Sequence, residues 1–313
     1  MAVPTVTVQR DTDGPPRVAV APPNDRLAAA VADAGATVVD PGDAEALVWA
    51  LPHSADDLAD LVADNPHIRW VQLPFAGVDA FLDVLDHDRS WTSAKGAYDD
   101  PVAEMAFTLL LATRRQVARY ATETSWTGDH GEMLFGARVV VLGGGAITRV
   151  FLDLLAPFDC DTTVVRRSAE PIDGVTVVAS DDLDDALEGA DAVVAALALT
   201  PETSGLLDHR RLSLLAPGAV VVNVARGAHV VTDDLVALLE SGHLAGAGLD
   251  VTDPEPLPDG HPLWHLPNVV ITPHVGNTRA MGRRLLAARL HENVTRFATG
   301  QPLLGAVDVD AGY

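Results

Sequence analysis

Short apolar runs rich in Val, Ala and Leu alternate along the chain with longer stretches whose apolar positions recur every three or four residues. Strand, helix and strand in that order is the pattern of parallel sheets joined by helical crossovers. Strands are predicted over residues 17–21, 37–39, 46–50 and 69–73, with helices over 24–34, closed by Gly35, and from a Ser54 cap to residue 65. A further helix is predicted to begin near Asp79. Asp100 and Pro101 then open a long helix, with Asp as cap and Pro in the first turn. Its expected core face is Val102, Met105, Ala106, Leu109, Leu110, Thr113 and Val117.

Residues 120–135 are polar, include Trp126 and His130, and read as a loop with a little helix. The alternation then resumes, with strands over 137–142, 162–165, 175–178 and 192–197. Helices are expected through residue 155, over 181–187, over 208–215, and from a Thr232 cap to 241. Three more apolar runs, at 220–222, before Asp250 and before Thr272, lack a polar alternate face, as parallel strands covered on both sides should. Thr278 can cap a last long helix that turns Met281, Leu285, Leu286 and Val294 toward a core. The expected fold class is α/β, with two doubly wound parallel-sheet domains.

Composition narrows the partners. The 313 residues are ample for two domains, and 48% hydrophobic content excludes global disorder. A formal charge of −23 argues against nucleic acid or an anionic membrane surface as a partner. Lys95 is the only lysine beside many arginines, a bias that fits either a salt-adapted cytoplasm or a high-GC genome. Cys160 is alone and can form no internal disulfide, the N-terminus lacks a signal-peptide pattern, and no apolar run spans a bilayer. A cytoplasmic location follows. His209, His229, His243, His261 and His265 are placed in loops or on the surface without a paired-ligand spacing, so no metal site is expected.

The candidate chemistry lies where strands end. Val220 to Gly276 holds three apolar runs, and the polar loops after them carry Arg226, Glu255 and His274. An arginine offers a fixed fork of donors to a carboxylate, a histidine exchanges a proton near neutral pH, and a glutamate beside it orients it. Together they describe a site for an anionic carbonyl substrate. Upstream, Gly143-Gly144-Gly145-Ala146-Ile147-Thr148 links a strand to a helix, so that Gly143, Gly145, Ala146 and Ile147 can present amides to a pyrophosphate. Thr148 stands where such fingerprints carry a third glycine. The following strand runs into Arg166-Arg167-Ser168, with no acid before Glu170, which points to NADP(H) in preference to NAD(H).

The blocks Asn223–Gly227, Asp250–Leu257 and Thr272–Gly276 resemble the D-isomer-specific 2-hydroxyacid dehydrogenases, especially their glyoxylate/hydroxypyruvate reductase-like members. The resemblance implies a Rossmann cofactor domain over residues 100–277 inserted in a flavodoxin-like substrate domain made of 1–99 and 278–313. It implies that Arg226 binds the carboxylate and keto oxygen of a small 2-keto or 2-hydroxy acid, that His274 is the acid/base and that Glu255 is its partner. By the same resemblance Ala76, Gly77 and Val78 hold the substrate carboxylate, Asp250 meets the cofactor carboxamide, and Ala225 lines the cofactor. Val102-Ala103-Glu104 opens a helix that in the family contributes to a homodimer. Ala198 replaces a proline usual in the family, which alters the loop there. A dinucleotide-sensing, co-repressor-like protein is the alternative, since some relatives have that role. Glu255 argues against a formate dehydrogenase, and the lack of a domain after Tyr313 argues against a regulated phosphoglycerate dehydrogenase.

Overall fold

The computed structural model describes residues 4–10, 14–51 and 54–312. The chain forms two compact units, Met1–Asp99 with Thr278–Tyr313, and Asp100–Asn277.

In the first unit, β1 (Thr5–Val6) precedes β2 (Arg17–Ala21), α1 (Asp25–Asp33), β3 (Thr37–Val38), β4 (Ala46–Trp49), α2 (Ala55–Asp64), β5 (Trp70–Gln72) and β6 (Ser90–Thr92). Asn24 starts α1 by accepting the Leu27 amide, as a helix-capping side chain should. Ser54 occupies the cap position of α2 but makes no bond to its amides, and its hydroxyl goes to the Asp57 carboxylate instead. The segment after Asp79 is a 3₁₀ turn, Asp79–Val84, in place of the expected α-helix, anchored by the buried Phe81. β6 escaped the apolar pattern because only Trp91 of Ser-Trp-Thr is large and apolar. The parallel sheet runs β3-β2-β4-β5-β6, the flavodoxin-like order in which the second strand lies outside the first.

The second unit begins its helical part with α3 (Asp99–Arg114) and α4 (Val117–Thr122). The long helix therefore starts one residue before Asp100 and stops before Val117, which is half exposed at 51%. Gln116 is the reason: it takes a left-handed conformation (φ 53°), and its side-chain amide donates to the Thr113 and Ala245 carbonyls. β7 (Arg138–Leu142), α5 (Ala146–Leu155), β8 (Asp161–Arg166), β9 (Thr176–Ala179), α6 (Leu183–Leu187) and β10 (Ala192–Ala195) follow. α7 (His209–Leu212), β11 (Ala219–Asn223), α8 (Thr232–Glu240), β12 (Leu244–Leu249) and β13 (Val269–Ile271) complete it. Val231 occupies the cap position of α8, and the Thr232 hydroxyl donates to the Asp253 carbonyl.

All seven strands of this sheet are parallel, in the order β13-β12-β11-β10-β7-β8-β9. This is the doubly wound Rossmann order, with the direction of winding reversing between β7 and β10. Val139 and Val141 pack with Leu109, Leu110, Phe151 and Leu155 on one face, whereas Val140 and Leu142 pack with Leu183, Leu212, Leu235 and Leu239 on the other. Both faces are covered, which is why these strands read as unbroken apolar runs. Each such large aliphatic side chain contributes roughly 1.5–3 kcal/mol on burial.

The chain then returns to the first unit through α9 (Arg279–Thr299), capped by Thr278, and β14 (Leu303–Leu304), which pairs antiparallel with β1. Asn293 is fully buried on α9 and reaches the Gln72 side chain and the Leu304 carbonyl, fixing the helix to its sheet. Leu286 and Val294 are buried as expected, but Met281 is exposed in the first turn. No helix among the described residues is long and apolar enough to cross a membrane.

Candidate active site

At the end of β7 the backbone enters the glycine turn in a left-handed conformation, Gly143 having φ 102°. Any Cβ there would lie 2.3 Å from the Ala196 carbonyl oxygen at the end of β10, so only glycine fits this close approach. Gly145 is the N-cap of α5 and brings no side-chain acceptor, and the space beside it is open for 4 Å around an ideal Cβ. The amides of Gly144 and Gly145 have no protein acceptor among the described residues. Uncapped amides at a helix start, at the switch point of a doubly wound sheet, fit the pyrophosphate of a dinucleotide. Ala146 and Ile147 form the first turn behind them. Thr148 is fully buried, and its hydroxyl donates to the Gly143 carbonyl at 2.7 Å, so the residue in the third-glycine position braces the turn.

The corner after β8 separates the two arginines. Arg166 has only 8% of its side chain exposed, pairs with Glu170 at 3.1 Å, and passes 2.8 Å from the position a Gly144 Cβ would take. It props the glycine turn from below. Arg167 and Ser168 are exposed beyond it.

Arg226 sits in a turn tied from within. The Asn223 side chain donates to the Arg226 carbonyl at 2.9 Å and accepts the Ala225 amide at 3.0 Å. Ala225 is thereby buried, and Arg226 stays half-buried with its guanidinium touching the Ala225 carbonyl at 2.8 Å. Gly227, next in line, is pressed on Thr252, where a Cβ would fall 2.0 Å from the carbonyl carbon. The Arg226 turn and the loop leading to Glu255 are thus packed back to back.

His274 Nδ1 lies 2.7 Å from Glu255 Oε1, and both side chains are about half exposed, at 51% and 42%. The carboxylate accepts the Nδ1 proton, which leaves Nε2 to carry the exchangeable one. His274 itself is in the left-handed region at φ 52°, a conformation a non-glycine residue keeps only when its surroundings hold it. Asp250 does so. Its carbonyl accepts the His274 amide at 2.8 Å, and its carboxylate accepts the Val275 and Gly276 amides at 2.9 and 2.8 Å and the Thr272 hydroxyl.

In the other unit, the turn of Ala76, Gly77 and Val78 follows β5, and none of these three amides has an acceptor among the described residues. The turn is held at its base, where the Tyr98 hydroxyl donates to the Pro74 carbonyl at 2.9 Å and the Ala94 amide to the Phe75 carbonyl at 2.7 Å. Burial pushes the Tyr98 hydroxyl up to about 12, so it remains a donor throughout the ordinary pH range.

His229 lies in the connection after β11, as a loop placement expects, but not at the surface. It is fully buried, with Nδ1 2.9 Å from the Thr203 carbonyl and Nε2 3.3 Å from the Leu197 carbonyl, because neighbouring loops supply acceptors that local sequence does not reveal.

A glycine turn opening a helix where the strand order reverses, with a hydrogen-bonded His–Glu pair beyond strands of the same sheet, fits a dinucleotide-dependent enzyme. Comparison with known proteins specifies the class: residues 107–276 match the model of the D-isomer specific 2-hydroxyacid dehydrogenase NAD binding domain, and the chain belongs to that family of NAD(P)-dependent oxidoreductases. It is 32% identical over 283 residues to glyoxylate/hydroxypyruvate reductase A of Serratia proteamaculans, covering 86% of this chain and 87% of that one. It is 33% identical to hydroxyphenylpyruvate reductase of Plectranthus scutellarioides, over 80% of this chain and 81% of that one. Among solved structures, a D-isomer specific 2-hydroxyacid dehydrogenase from Xanthobacter autotrophicus Py2 in complex with NADPH and MES is similar, with a TM-score of 0.82 and 30% identity. That similarity covers 96% of this chain and 100% of that one. The NADPH-dependent glyoxylate/hydroxypyruvate reductase of Sinorhizobium meliloti, in complex with NADP and sulfate, is similar with a TM-score of 0.80 and 28% identity, covering 96% and 100% of the two chains.

Proposed function

We propose that the chain reduces a small 2-keto acid to the D-2-hydroxy acid with NADPH, and that Arg226, Glu255 and His274 carry the chemistry. The observation that supports this reading most is the 2.7 Å bond between His274 Nδ1 and Glu255, which leaves the other ring nitrogen to carry the exchangeable proton. When bound, the nicotinamide dinucleotide supplies the hydride that goes to C2 of the keto acid. His274 donates the Nε2 proton to the carbonyl oxygen as charge develops there, and Glu255 stabilises the imidazolium before transfer. Arg226 takes the carboxylate and keto oxygen through its planar fork, and the amides of Ala76, Gly77 and Val78 share the carboxylate.

In this reading residues 100–277 are the cofactor domain, and residues 1–99 with 278–313 the substrate domain. The glycine turn receives the pyrophosphate through the amides of Gly145, Ala146 and Ile147, with Gly143 giving the backbone room and Ala225 lining the cofactor. Arg167 and Ser168 receive the 2′-phosphate of NADP(H), with Arg166 holding the turn beneath. The preference for NADPH is supported by the absence of an acidic side chain at the end of β8, where β8 closes on Arg166. The protein works as a homodimer in the cytoplasm, a reading supported by the apolar surface of Val117, Trp126, Met133 and Phe135, all exposed in the single chain. Light scattering tests the dimer.

A panel of 2-keto acids, with glyoxylate, hydroxypyruvate, pyruvate and a longer homologue, assayed with NADPH and with NADH, tests the activity. Turnover of at least one acid is expected. His274→Ala lowers that turnover by about 10² or more while NADPH binding survives. NADPH binding without turnover of any acid would favour a dinucleotide sensor instead.

A further inference from the structure

His229 ends the single 3₁₀ turn, Gly227–His229, that follows Arg226, and its ring enters the seam between two loops at the C-terminal edge of the sheet. Two carbonyls beside it there, those of Leu197 and Thr203, bracket the segment that leaves β10. This segment is also the wall of the glycine turn, since a Cβ on Gly143 would meet Ala196 O at 2.3 Å and Leu197 Cα at 3.1 Å. The backbone strengthens the same junction: the Gly205 amide donates to the Ala228 carbonyl at 2.7 Å, and the Leu207 amide to the His229 carbonyl at 2.9 Å. On its other side, the 3₁₀ turn is wedged against Thr252 through Gly227. The residue after which all this is arranged is Arg226.

A carbonyl oxygen only accepts, so a ring nitrogen satisfies it by carrying a proton, and the shorter contact places that proton on Nδ1, facing Thr203. An apolar side chain of similar size would fill the space but take the ring donor from the Thr203 carbonyl, leaving it only the longer 3.4 Å approach of the Leu206 amide. We propose that His229 is a positioning residue: it locks the turn bearing Arg226 to the 197–203 segment, and through that segment to the glycine turn. The substrate-binding arginine and the dinucleotide-binding amides are thereby held at one spacing. This proposal rests on the reading of Arg226 as the substrate's ligand.

The test is a double-mutant cycle between His229→Leu and Arg226→Lys, read in KM for hydroxypyruvate with NADPH, in kcat, and in NADPH affinity by nicotinamide fluorescence without keto acid. His229→Leu is expected to raise KM about tenfold with a smaller loss in kcat, and to weaken NADPH severalfold. His229→Gln, whose amide can still donate to Thr203, recovers most of the KM loss. In the Arg226→Lys background the His229 effect on KM shrinks to about twofold or less, because the fork it positions is gone. Equal effects in both backgrounds overturn the proposal, as does a folded His229→Leu protein with native KM and native NADPH affinity. If His229→Leu does not fold, the same cycle is run with His229→Asn, and the same outcomes decide it. A near-native KM in Arg226→Lys alone removes the reading of Arg226, and the proposal with it. A large Arg226→Lys effect with an additive cycle removes only the role of His229.

Discussion

Both carboxylate oxygens of Asp250 accept hydrogen bonds from the turn that carries His274: Oδ1 from the Val275 amide and Thr272 hydroxyl, Oδ2 from the Gly276 amide. Asp250 is only 3% exposed, and these bonds fix the positive φ of His274. Resemblance alone gives Asp250 to the cofactor carboxamide, and the two roles separate experimentally. In Asp250→Asn an amide N–H must face a backbone N–H, so the His274 turn shifts. Turnover is expected to fall roughly 10²-fold, as a misplacement of about 1 Å can cause, while NADPH affinity holds. Weakened NADPH with preserved turnover would return Asp250 to the cofactor.

The proposed preference for NADPH is tested at the corner after β8. Arg166 is buried against Gly144 and paired with Glu170, so in the proposed reading the exposed Arg167 and Ser168 are the groups that take a 2′-phosphate. Arg167→Asp should lower kcat/KM for NADPH by about 10-fold or more and leave NADH within a few-fold, moving the ratio toward NADH. Arg166→Asp should instead harm both cofactors alike by loosening the turn. A native enzyme that prefers NADH would end this reading.

The alternation of strands and helices was legible because the second sheet is covered on both faces, so Val139 to Leu142 and Val220 to Val222 admit no polar alternate. Glu255 and His274 were legible as chemistry that turns out to be in contact at 2.7 Å. What local sequence could not show was set by distant backbone. His229 is buried by carbonyls from the loop after β10, and the helix begun at Asp99 stops because Gln116 finds the Ala245 carbonyl more than a hundred residues away. Thr148 looked like a defect in the fingerprint, yet its hydroxyl supplies a bond to Gly143 that a glycine could not. Arg166 was read with Arg167 as a phosphate contact because Glu170 lies outside the strand, and only the fold of the corner brings Arg166 and Glu170 together.

Asp184 ties α6 to α7 through Arg210, at 2.5 and 3.2 Å, and Arg211 Nε, at 2.9 Å. Hydrogen bonds from Arg210, then from Arg211, hold its carboxyl down at about 2, below the ordinary 3.8. A depressed carboxyl stabilises the fold above its unfolded value and loses that contribution as pH falls through the folded one. The pair is 44% exposed on the Asp184 side, so solvent screening keeps the effect modest. Urea midpoints of the native protein and Asp184→Asn should differ by a constant amount from about pH 7 to 5, and converge as pH falls from about 4 toward 2. A difference independent of pH would contradict this.

The charge of −23 should make stability rise with salt. α2 shows the cause at one place: Asp56, Asp60 and Asp64 are exposed and follow one another at four-residue spacing, so like charges face each other along one stripe of the helix. No basic residue lies in that helix to offset them. Salt shortens the reach of such repulsion from about 10 Å at 0.1 M to about 3 Å at 1 M. The melting temperature is therefore expected to climb between low and molar KCl. Asp60→Lys, which turns two repulsive pairs into attractive ones, should raise it at low salt and flatten the climb. Each such pair contributes only about 0.2–0.5 kcal/mol in either sign, so the gain from this one change is roughly one to three degrees in a chain of this size. A melting temperature that is level from low to molar KCl would show that the acidity is not an adaptation to salt.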